Sequence, residues 1–296
     1  MTIEPELLRA LGALCEPPDP AHRVVAAALD LPSLPDVAEH TDLFGMQLVP
    51  YAAVYLGPEG MLGGEAASRI AGFWRAVGMT PPAEPDHLAA LLGLYAMLVE
   101  AEQGEPEPAR RALRREARRA LLWEHMLTWL PAYTTAVSGS DSVFYGDWAA
   151  LLGQVLAGEV AELDPPATPA QHLRAVPELP GPDAETKDLV RATLTPVRSG
   201  LVLSRRDLLR GAHTGGLGLR VGERAFMLRA MLDQDAVVTF GWLATEADRW
   251  AARHQDDVDL LGAVAIHWRD RAIAMAADCR TRRDSLREVL ADTSAG

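Results

Sequence analysis

Helical periodicity between residues 88 and 102 constrains the fold more than any other feature of this sequence. Apolar side chains recur there at helical spacing, with alanine and glycine between them: Leu88, Leu91, Leu92, Tyr95, Leu98 and Val99. A helix that is apolar on most of its circumference lies at the centre of a bundle. Strict alternation of apolar and polar residues, which is typical of strands, is absent from the first half of the chain. The sequence therefore predicts an all-α helical bundle.

The same reasoning divides the chain into three regions. Residues 1–160 are predicted to form a helical domain, residues 161–184 a proline-rich linker or draped loop, and residues 185–296 a C-terminal helical extension. Within the first region, residues 49–58 read as an aromatic loop closed by Pro58, Glu59 and Gly60. A long helix is predicted to begin near Pro106 or Pro108, to continue to Leu130 and to stop at Pro131. The final helix is predicted over residues 256–291.

Composition excludes several classes of function. The 296 residues carry a formal net charge of -13, and Lys187 is the only lysine. An acidic surface argues against nucleic acid or an anionic membrane as partner and favours a basic one. No apolar run approaches the ~20 residues that a bilayer span needs, and the acidic N-terminus is not a secretory signal. We expect a soluble cytoplasmic protein in which Cys15 and Cys279 are two buried thiols.

A turn with two titratable side chains precedes the apolar helix. In Glu84-Pro85-Asp86-His87 the proline suits a first helical turn, and the carboxylates suit the positive end of the helix dipole. A carboxylate and an imidazole on a stiff turn indicate a recognition site for a ligand or peptide. A buried Asp–His pair with a purely structural role stays open as the alternative.

Catalytic and metal chemistry find little support in the sequence. Glu84 and His87 have E-x-x-H spacing, but a di-metal bundle needs a second copy and two further glutamates, which are missing. The glycines over residues 215–222 lack a preceding strand and a P-loop lysine, so they indicate an inter-helix loop. The sequence predicts no catalytic residue, no metal and no cofactor.

Arginines are concentrated in two helical patterns. The run over residues 109–123 indicates a solvated face with Glu105, Glu107 and Glu116 as partners, or a surface that docks an acidic partner. Ser204-Arg205-Arg206 is similar to the core of a twin-arginine export signal. It lies deep in the chain without an apolar region behind it, so Ser204 is predicted to be a helix N-cap.

An ordered set of short motifs resembles the TorD/DmsD/NarJ family of cytoplasmic chaperones for molybdenum-containing oxidoreductases. It comprises Leu43-Phe44, the segment Pro50 to Leu56, Gly63-Gly64 and Glu84-Pro85-Asp86-His87, and the resemblance covers roughly residues 36–160. It implies an all-helical, non-enzymatic protein that binds a molybdopterin oxidoreductase catalytic subunit, or its twin-arginine signal peptide, until the cofactor is inserted. Residues 185–296 exceed the compact members of the family and are either an extension packed on the bundle or a second docking surface.

The resemblance also implies a partner-binding site. Leu43, Phe44, Tyr51 and Tyr55 match the family's Leu-Phe and aromatic-loop positions, and Asp86 and His87, with Glu84 and Pro85, match its Asp-His hinge. Independently of the family, exposed aromatics beside a carboxylate suit a peptide that has two arginines followed by an apolar stretch. The loop departs from the family in carrying Ala52-Ala53 where members often have a Gly/Ser-Ser pair.

Two other classes of protein stay open. One is a helical-bundle metal protein or enzyme that uses Asp86 and His87, with Glu124 and His125 as further candidates. The other is a generic adaptor that grips helices in an apolar groove, with the Asp-His turn merely structural. A domain-swapped homodimer is compatible with the long helices and Pro/Gly hinges, although nothing in the sequence requires one.

Overall fold

The computed structural model describes residues 3–57 and 61–295, and its architecture is all-α as predicted. Within these residues no strand forms, and a single isolated antiparallel bridge joins Tyr51 to His87. The chain divides into two compact units, unit 1 with described residues 3–57 and 61–170, and unit 2 with described residues 171–295. The predicted partition into a chaperone domain, a linker and an extension stays a prediction.

Unit 1 is a bundle arranged around the apolar helix. Its α-helices are α1 (Pro5–Ala13), α2 (His22–Ala28), α3 (Val37–His40), α4 (Ala52–Leu56), α5 (Gly64–Ala76), α6 (Leu88–Gln103), α7 (Pro108–Ala120), α8 (Leu130–Ser138) and α9 (Val143–Glu162). The side chains of α6 are buried around most of its circumference, and α6 packs against α1 and α7. A Cβ at Gly12 would lie 3.4 Å from the Ala89 Cα, so the small residue allows α1 to approach α6 closely.

Two segments of unit 1 are π-helical, Thr41–Gln47 and Leu121–Met126. Each ends with a hydrogen bond between residues five apart: the Leu48 N–H donates to the Leu43 carbonyl at 2.7 Å, and the Leu127 N–H donates to the Leu122 carbonyl at 2.8 Å. A π turn contains one residue more than an α turn, and such turns are rare outside functional or constrained positions.

Unit 2 is built on two long helices that pack along one another. Its helices are α10 (Gln171–Arg174), α11 (Thr186–Thr193), α12 (Pro196–Ser199), α13 (Arg205–Thr214), α14 (Arg224–Gln234), α15 (Ala236–Asp256), α16 (Val258–Leu261) and α17 (Ala263–Ala295). Helices α15 and α17 form the largest contact in the unit. His254 lies between Trp250 and Trp268, with ring centroids 5.3 and 5.6 Å away, and its Nε2 is 2.9 Å from the Gly200 carbonyl.

Part of the proline-rich segment lies along α17 within unit 2. The Arg271 guanidinium donates to the carbonyls of Val176 and Pro177, and Arg282 donates to the carbonyls of Pro180, Gly181 and Pro182. Arginine side chains therefore satisfy backbone acceptors that an irregular segment cannot pair within itself.

Several predicted features are confirmed locally. Gly78 follows α5 with a φ of 81°, and Gly104 caps the C-terminus of α6. Ser204 caps α13 in a capping box with Asp207. The glycines from Gly215 onward lie in the loop between α13 and α14. Cys15 and Cys279 are both buried and free.

Other predictions are wrong. Pro131 does not stop a helix that continues from residue 108, because α7 ends at Ala120 and Pro131 lies in the first turn of α8. Residues 52–56 form α4 rather than a loop, while Pro58, Glu59 and Gly60, predicted to close that loop, lie outside the described residues. The final predicted helix is interrupted at Gly262, where φ is 54°. None of the helices described combines the length and apolar character needed to cross a membrane.

Candidate partner-binding site

The Asp-His turn, residues 84–87, and the segment around Tyr51 lie side by side in unit 1. The Ala52 N–H donates to the Asp86 carbonyl at 3.1 Å, and the Leu88 N–H donates to the Pro50 carbonyl at 2.8 Å. These two hydrogen bonds flank the bridge between Tyr51 and His87. The structure therefore brings together two of the segments from which the site was predicted.

Asp86, which is distant from α4 in sequence, caps the first turn of that helix. Its Oδ2 accepts the Ala53 N–H at 3.0 Å, and its side chain is buried. Tyr51, the N-cap residue of α4, makes no capping hydrogen bond with its own side chain, so Asp86 accepts from an N–H group that would otherwise be unsatisfied. Burial raises the pKa of Asp86, and the hydrogen bond from Ala53 opposes that shift. Asp86 is thus an N-cap supplied by another segment.

His87 begins α6 and contacts a carboxylate as well. The residue is the N-cap of α6, and its Nδ1 accepts the Ala89 N–H at 3.2 Å. The same Nδ1 lies 3.3 Å from the Glu16 carboxylate, and the ring meets Tyr51 edge-on at 4.7 Å. Burial lowers the pKa of His87 although Glu16 opposes the shift, so the neutral ring is the capping form.

The accessible part of this turn consists of Tyr51, Glu84 and Glu16. Tyr51 is partly exposed and donates its hydroxyl to Glu84 Oε2 at 2.9 Å, while Glu84 is exposed. The Glu16 side chain is 47% exposed. Burial and the neighbouring carboxylates, Glu84 first, raise the pKa of Tyr51. Tyr51 and the two solvent-facing carboxylates, Glu84 at its hydroxyl and Glu16 beside His87, form an acidic surface, which we call the Tyr51 surface.

Pro85 lies outside the helix it was predicted to start. Helix α6 begins at Leu88, after the N-cap His87, so Pro85 precedes the first turn. Its carbonyl accepts the indole N–H of Trp74 at 3.3 Å, which ties the turn to α5. The stiffness predicted for the turn thus arises from contacts with α4 and α5 rather than from helix initiation.

Three of the predicted site residues lie in the core, and the prediction of exposed aromatics is wrong for Phe44 and Tyr55. Leu43, Phe44 and Tyr55 are 5%, 3% and 2% exposed. Phe44 lies 4.5 Å from the Tyr145 ring, and Tyr55 stacks on Trp129 at 5.2 Å. Sequence patterns place aromatics next to the turn, but they do not separate the partly exposed Tyr51 from its buried neighbours.

A buried ionic cluster, not foreseen from the sequence, joins α6, α7 and α9. Arg118, predicted to lie on a solvated face, is 2% exposed, so that prediction is wrong for this residue. Its guanidinium approaches Glu102 at 3.3 Å, Glu159 at 3.7 Å and Glu162 at 3.7 Å. Tyr95 donates a hydrogen bond to Glu159, whose pKa is raised by burial. The remaining predicted partners do pair on α7: Arg114 with Glu105, Arg110 with Glu107 and Arg119 with Glu116.

The residues suggested for a metal site do not gather into one. Over residues 3–57 and 61–295, no group of three or more His, Cys, Asp or Glu side chains is placed to hold an ion. Glu124 is exposed, whereas His125 is buried against Phe73 at 4.9 Å. Burial lowers the pKa of His125 to about 4, and nearby Arg69 adds to the shift.

A comparison with protein families identifies part of unit 1. Residues 23–135 match the family model described as nitrate reductase delta subunit. The matched segment contains the Leu-Phe pair, Tyr51 and the Asp-His turn, so the resemblance predicted from those motifs is confirmed. It ends before α9 and includes none of residues 171–295. No curated protein matches the chain, and no solved structure matches it.

Proposed function

We propose that this protein is a cytoplasmic chaperone that binds the precursor of a molybdopterin-dependent oxidoreductase subunit and holds it until its cofactor is inserted. The nitrate reductase delta subunit family, whose model residues 23–135 match, is a family of molybdoenzyme maturation chaperones rather than of enzymes. The observation that carries the proposal is the Tyr51 surface, an acidic patch on a rigid turn inside the family segment.

The chemistry of this surface suits a pair of arginines. The exposed carboxylates of Glu16 and Glu84 accept guanidinium groups, and fork-shaped hydrogen bonding makes such pairs directional. Beside these carboxylates, the Tyr51 ring can contact a cation of the peptide, or an apolar side chain that follows the two arginines in its sequence. A twin-arginine signal peptide combines these features, so we take the precursor's leader as the bound segment.

Asp86 and His87 act in this proposal as positioning residues. Both are buried, so neither presents its polar atoms as an open face to a peptide. The hydrogen bond from the Ala53 N–H to Asp86 fixes the backbone just after Tyr51, and the cap of His87 on Ala89 fixes the start of α6 beside it. Tyr55 donates its hydroxyl to the Val49 carbonyl, Leu43 and Phe44 lie in the core, and the Pro85 carbonyl accepts from Trp74.

The test is affinity capture from the native cytoplasm, read by mass spectrometry. Wild type is compared with the double variant Glu16→Gln/Glu84→Gln, which removes both charges and keeps the shape of the side chains. The matched control is Glu65→Gln, an exposed glutamate in the first turn of α5. We expect a molybdopterin oxidoreductase subunit to be enriched by wild type and by the control, and to be lost with the double variant.

Two results would contradict the proposal, one for the binding surface and one for the chaperone function. Capture of that subunit at equal yield by all three proteins would move binding away from the Tyr51 surface and towards a generic apolar adaptor. Absence of any such subunit, in cells that express one, would contradict the chaperone function. Stoichiometric metal in the purified protein would then favour a metal protein.

A further inference from the structure

Unit 2 contains a groove of about 320 Å³ between α13 and α15. Its lining is mostly apolar and includes Val238 and Trp242 together with Thr214 and Thr245. Small-molecule sites in proteins are concave, largely apolar and a few hundred Å³ in volume, with a small number of polar groups that orient the ligand. This groove has those properties, and it lies outside the family segment.

The Trp242 indole, which lines the groove, is held rigidly by its contact with α13. Trp242 lies directly on Gly211, where a Cβ would be 2.3 Å from the indole Cε2. One turn further, a Cβ at Gly215 would be 2.6 Å from the Val238 Cγ1. Gly211 within α13 and Gly215 at its C-terminal cap therefore allow large side chains of α15 to lie against bare backbone. The indole is held in place from below and remains partly exposed above.

One end of the groove carries two guanidinium groups. Arg210 and Arg249 both contact the Glu246 carboxylate, at 3.4 and 2.8 Å, and Arg210 also pairs with Asp207 at 2.8 Å. The Glu246 side chain is only 4% exposed, whereas the two arginine side chains are 52% and 55% exposed. The buried Glu246 carboxylate therefore fixes the positions of both exposed guanidinium groups. Each guanidinium has five N–H donors and uses few of them in these contacts.

We propose that this groove binds a planar aromatic acid. The ring stacks on Trp242, and the carboxylate or sulfonate accepts hydrogen bonds from Arg210 and Arg249. Among the described residues none that lines the groove is acidic, and the carboxylates of Glu246 and Asp207 contact the two arginines from outside the lining, so a bound anion meets guanidinium donors first. A volume of about 320 Å³ suits a bicyclic ring system and is small for a folded peptide segment.

The experiment is a calorimetric titration of the full-length protein with 2-naphthoate, and in parallel with the neutral analogue 2-naphthalenemethanol. We expect saturable binding of one naphthoate per chain, and binding of the alcohol that is about tenfold weaker or more, because charge-assisted hydrogen bonds to arginine are lost. Arg249→Gln should weaken naphthoate binding to a similar extent. Thr245→Trp, which fills the groove from its exposed rim, should abolish it.

The matched control is Arg253→Gln on the same helix. Arg253 is exposed and lies over the Trp250 ring at 5.1 Å, away from the groove lining, so its loss should leave naphthoate affinity unchanged. Circular dichroism and thermal unfolding confirm that each variant is folded. The proposal is overturned if naphthoate shows no saturable binding, if Thr245→Trp binds as wild type does, or if the neutral alcohol binds as tightly as the acid.

Discussion

Replacing Asp86 separates its role as a hydrogen-bond acceptor from its charge. Asp86→Ala removes the acceptor of the Ala53 N–H at the start of α4, a bond of 3.0 Å. Because Asp86 is 4% exposed, water does not readily take the place of the lost oxygen. Asp86→Asn keeps an oxygen of nearly the same position and removes the charge.

The magnitude follows from two opposing effects. A hydrogen bond to a charged group contributes about 1.5–3 kcal/mol, and loss of an N-cap costs about 0.5–2 kcal/mol. Burial raises the pKa of Asp86, which means that the ionised side chain is disfavoured and offsets part of that gain. We expect Asp86→Ala to lower the free energy of unfolding by about 2 kcal/mol and Asp86→Asn by about 1 kcal/mol or less. For a domain of this size, 2 kcal/mol corresponds to a fall in Tm of about 4–8 °C.

Urea unfolding followed by far-ultraviolet circular dichroism measures the difference. The exposed Glu65→Ala serves as control and should change the free energy by less than about 0.5 kcal/mol. In the window above the ordinary Asp pKa the folded chain binds more protons at Asp86 than the unfolded chain, so stability falls as pH rises there, and the Asn variant lacks this slope. Equal losses in the Ala and Asn variants, or no loss in either, would refute the capping role.

Three further predictions concern the core of each unit. Arg118→Met leaves Glu159 buried without its cation, and urea unfolding should show a loss of about 3–5 kcal/mol in the free energy of unfolding. The double variant Arg118→Met/Glu159→Gln should recover part of that loss, because it also removes the buried charge. Because the pKa of His125 is lowered from 6.5 to about 4, the unfolded chain binds more protons than the folded chain between these two pH values. The free energy of unfolding should therefore fall by up to about 3 kcal/mol as the pH falls from 6.5 to 4. Unfolding curves recorded over this pH range should show that His125→Phe removes this part of the pH dependence. Gly200→Ala should lower the free energy of unfolding by about 3 kcal/mol or more, seen in calorimetry as a lower Tm, because φ is 75° and its Cβ would lie 2.4 Å from the Ala272 backbone nitrogen. Gly216→Ala, with positive φ but open space, should cost about 1 kcal/mol.

The all-α fold was accessible from the sequence because apolar periodicity is a local signal. The segment from Leu88 to Gln103 shows this most clearly, since its composition alone places it at the centre of unit 1. Glycine also marked helix ends correctly at Gly78 and Gly104. Pro131 was misread because proline follows the end of one helix as readily as it opens the first turn of the next, and no local feature separates the two.

The site was less accessible because its contacts join distant segments. Helix α4 is five residues long and takes its capping acceptor from Asp86, so nothing within Val49–Leu56 indicates a helix. Arg118 lies in a run of arginines and shares Glu102 and Glu162 with Arg115, so only its burial in the packed bundle distinguishes it from that neighbour. One signal was available: Glu159 continues the apolar stripe of Leu152 and Leu156 at helical spacing, and a carboxylate on such a stripe predicts a buried partner.

The π-helical segment Leu121–Met126 absorbs one residue more than an α-helical turn would hold. Removing one residue there restores ordinary helical geometry and leaves the following helix facing the same way, with Trp129 still against Tyr55. Removing one residue from the α-helix before it, within Pro108–Ala120, would instead rotate every following side chain by about 100° around the axis. Chains that share this core are therefore expected to accept a one-residue gap within residues 121–126, whereas a gap in the helices on either side marks a different arrangement around Tyr55.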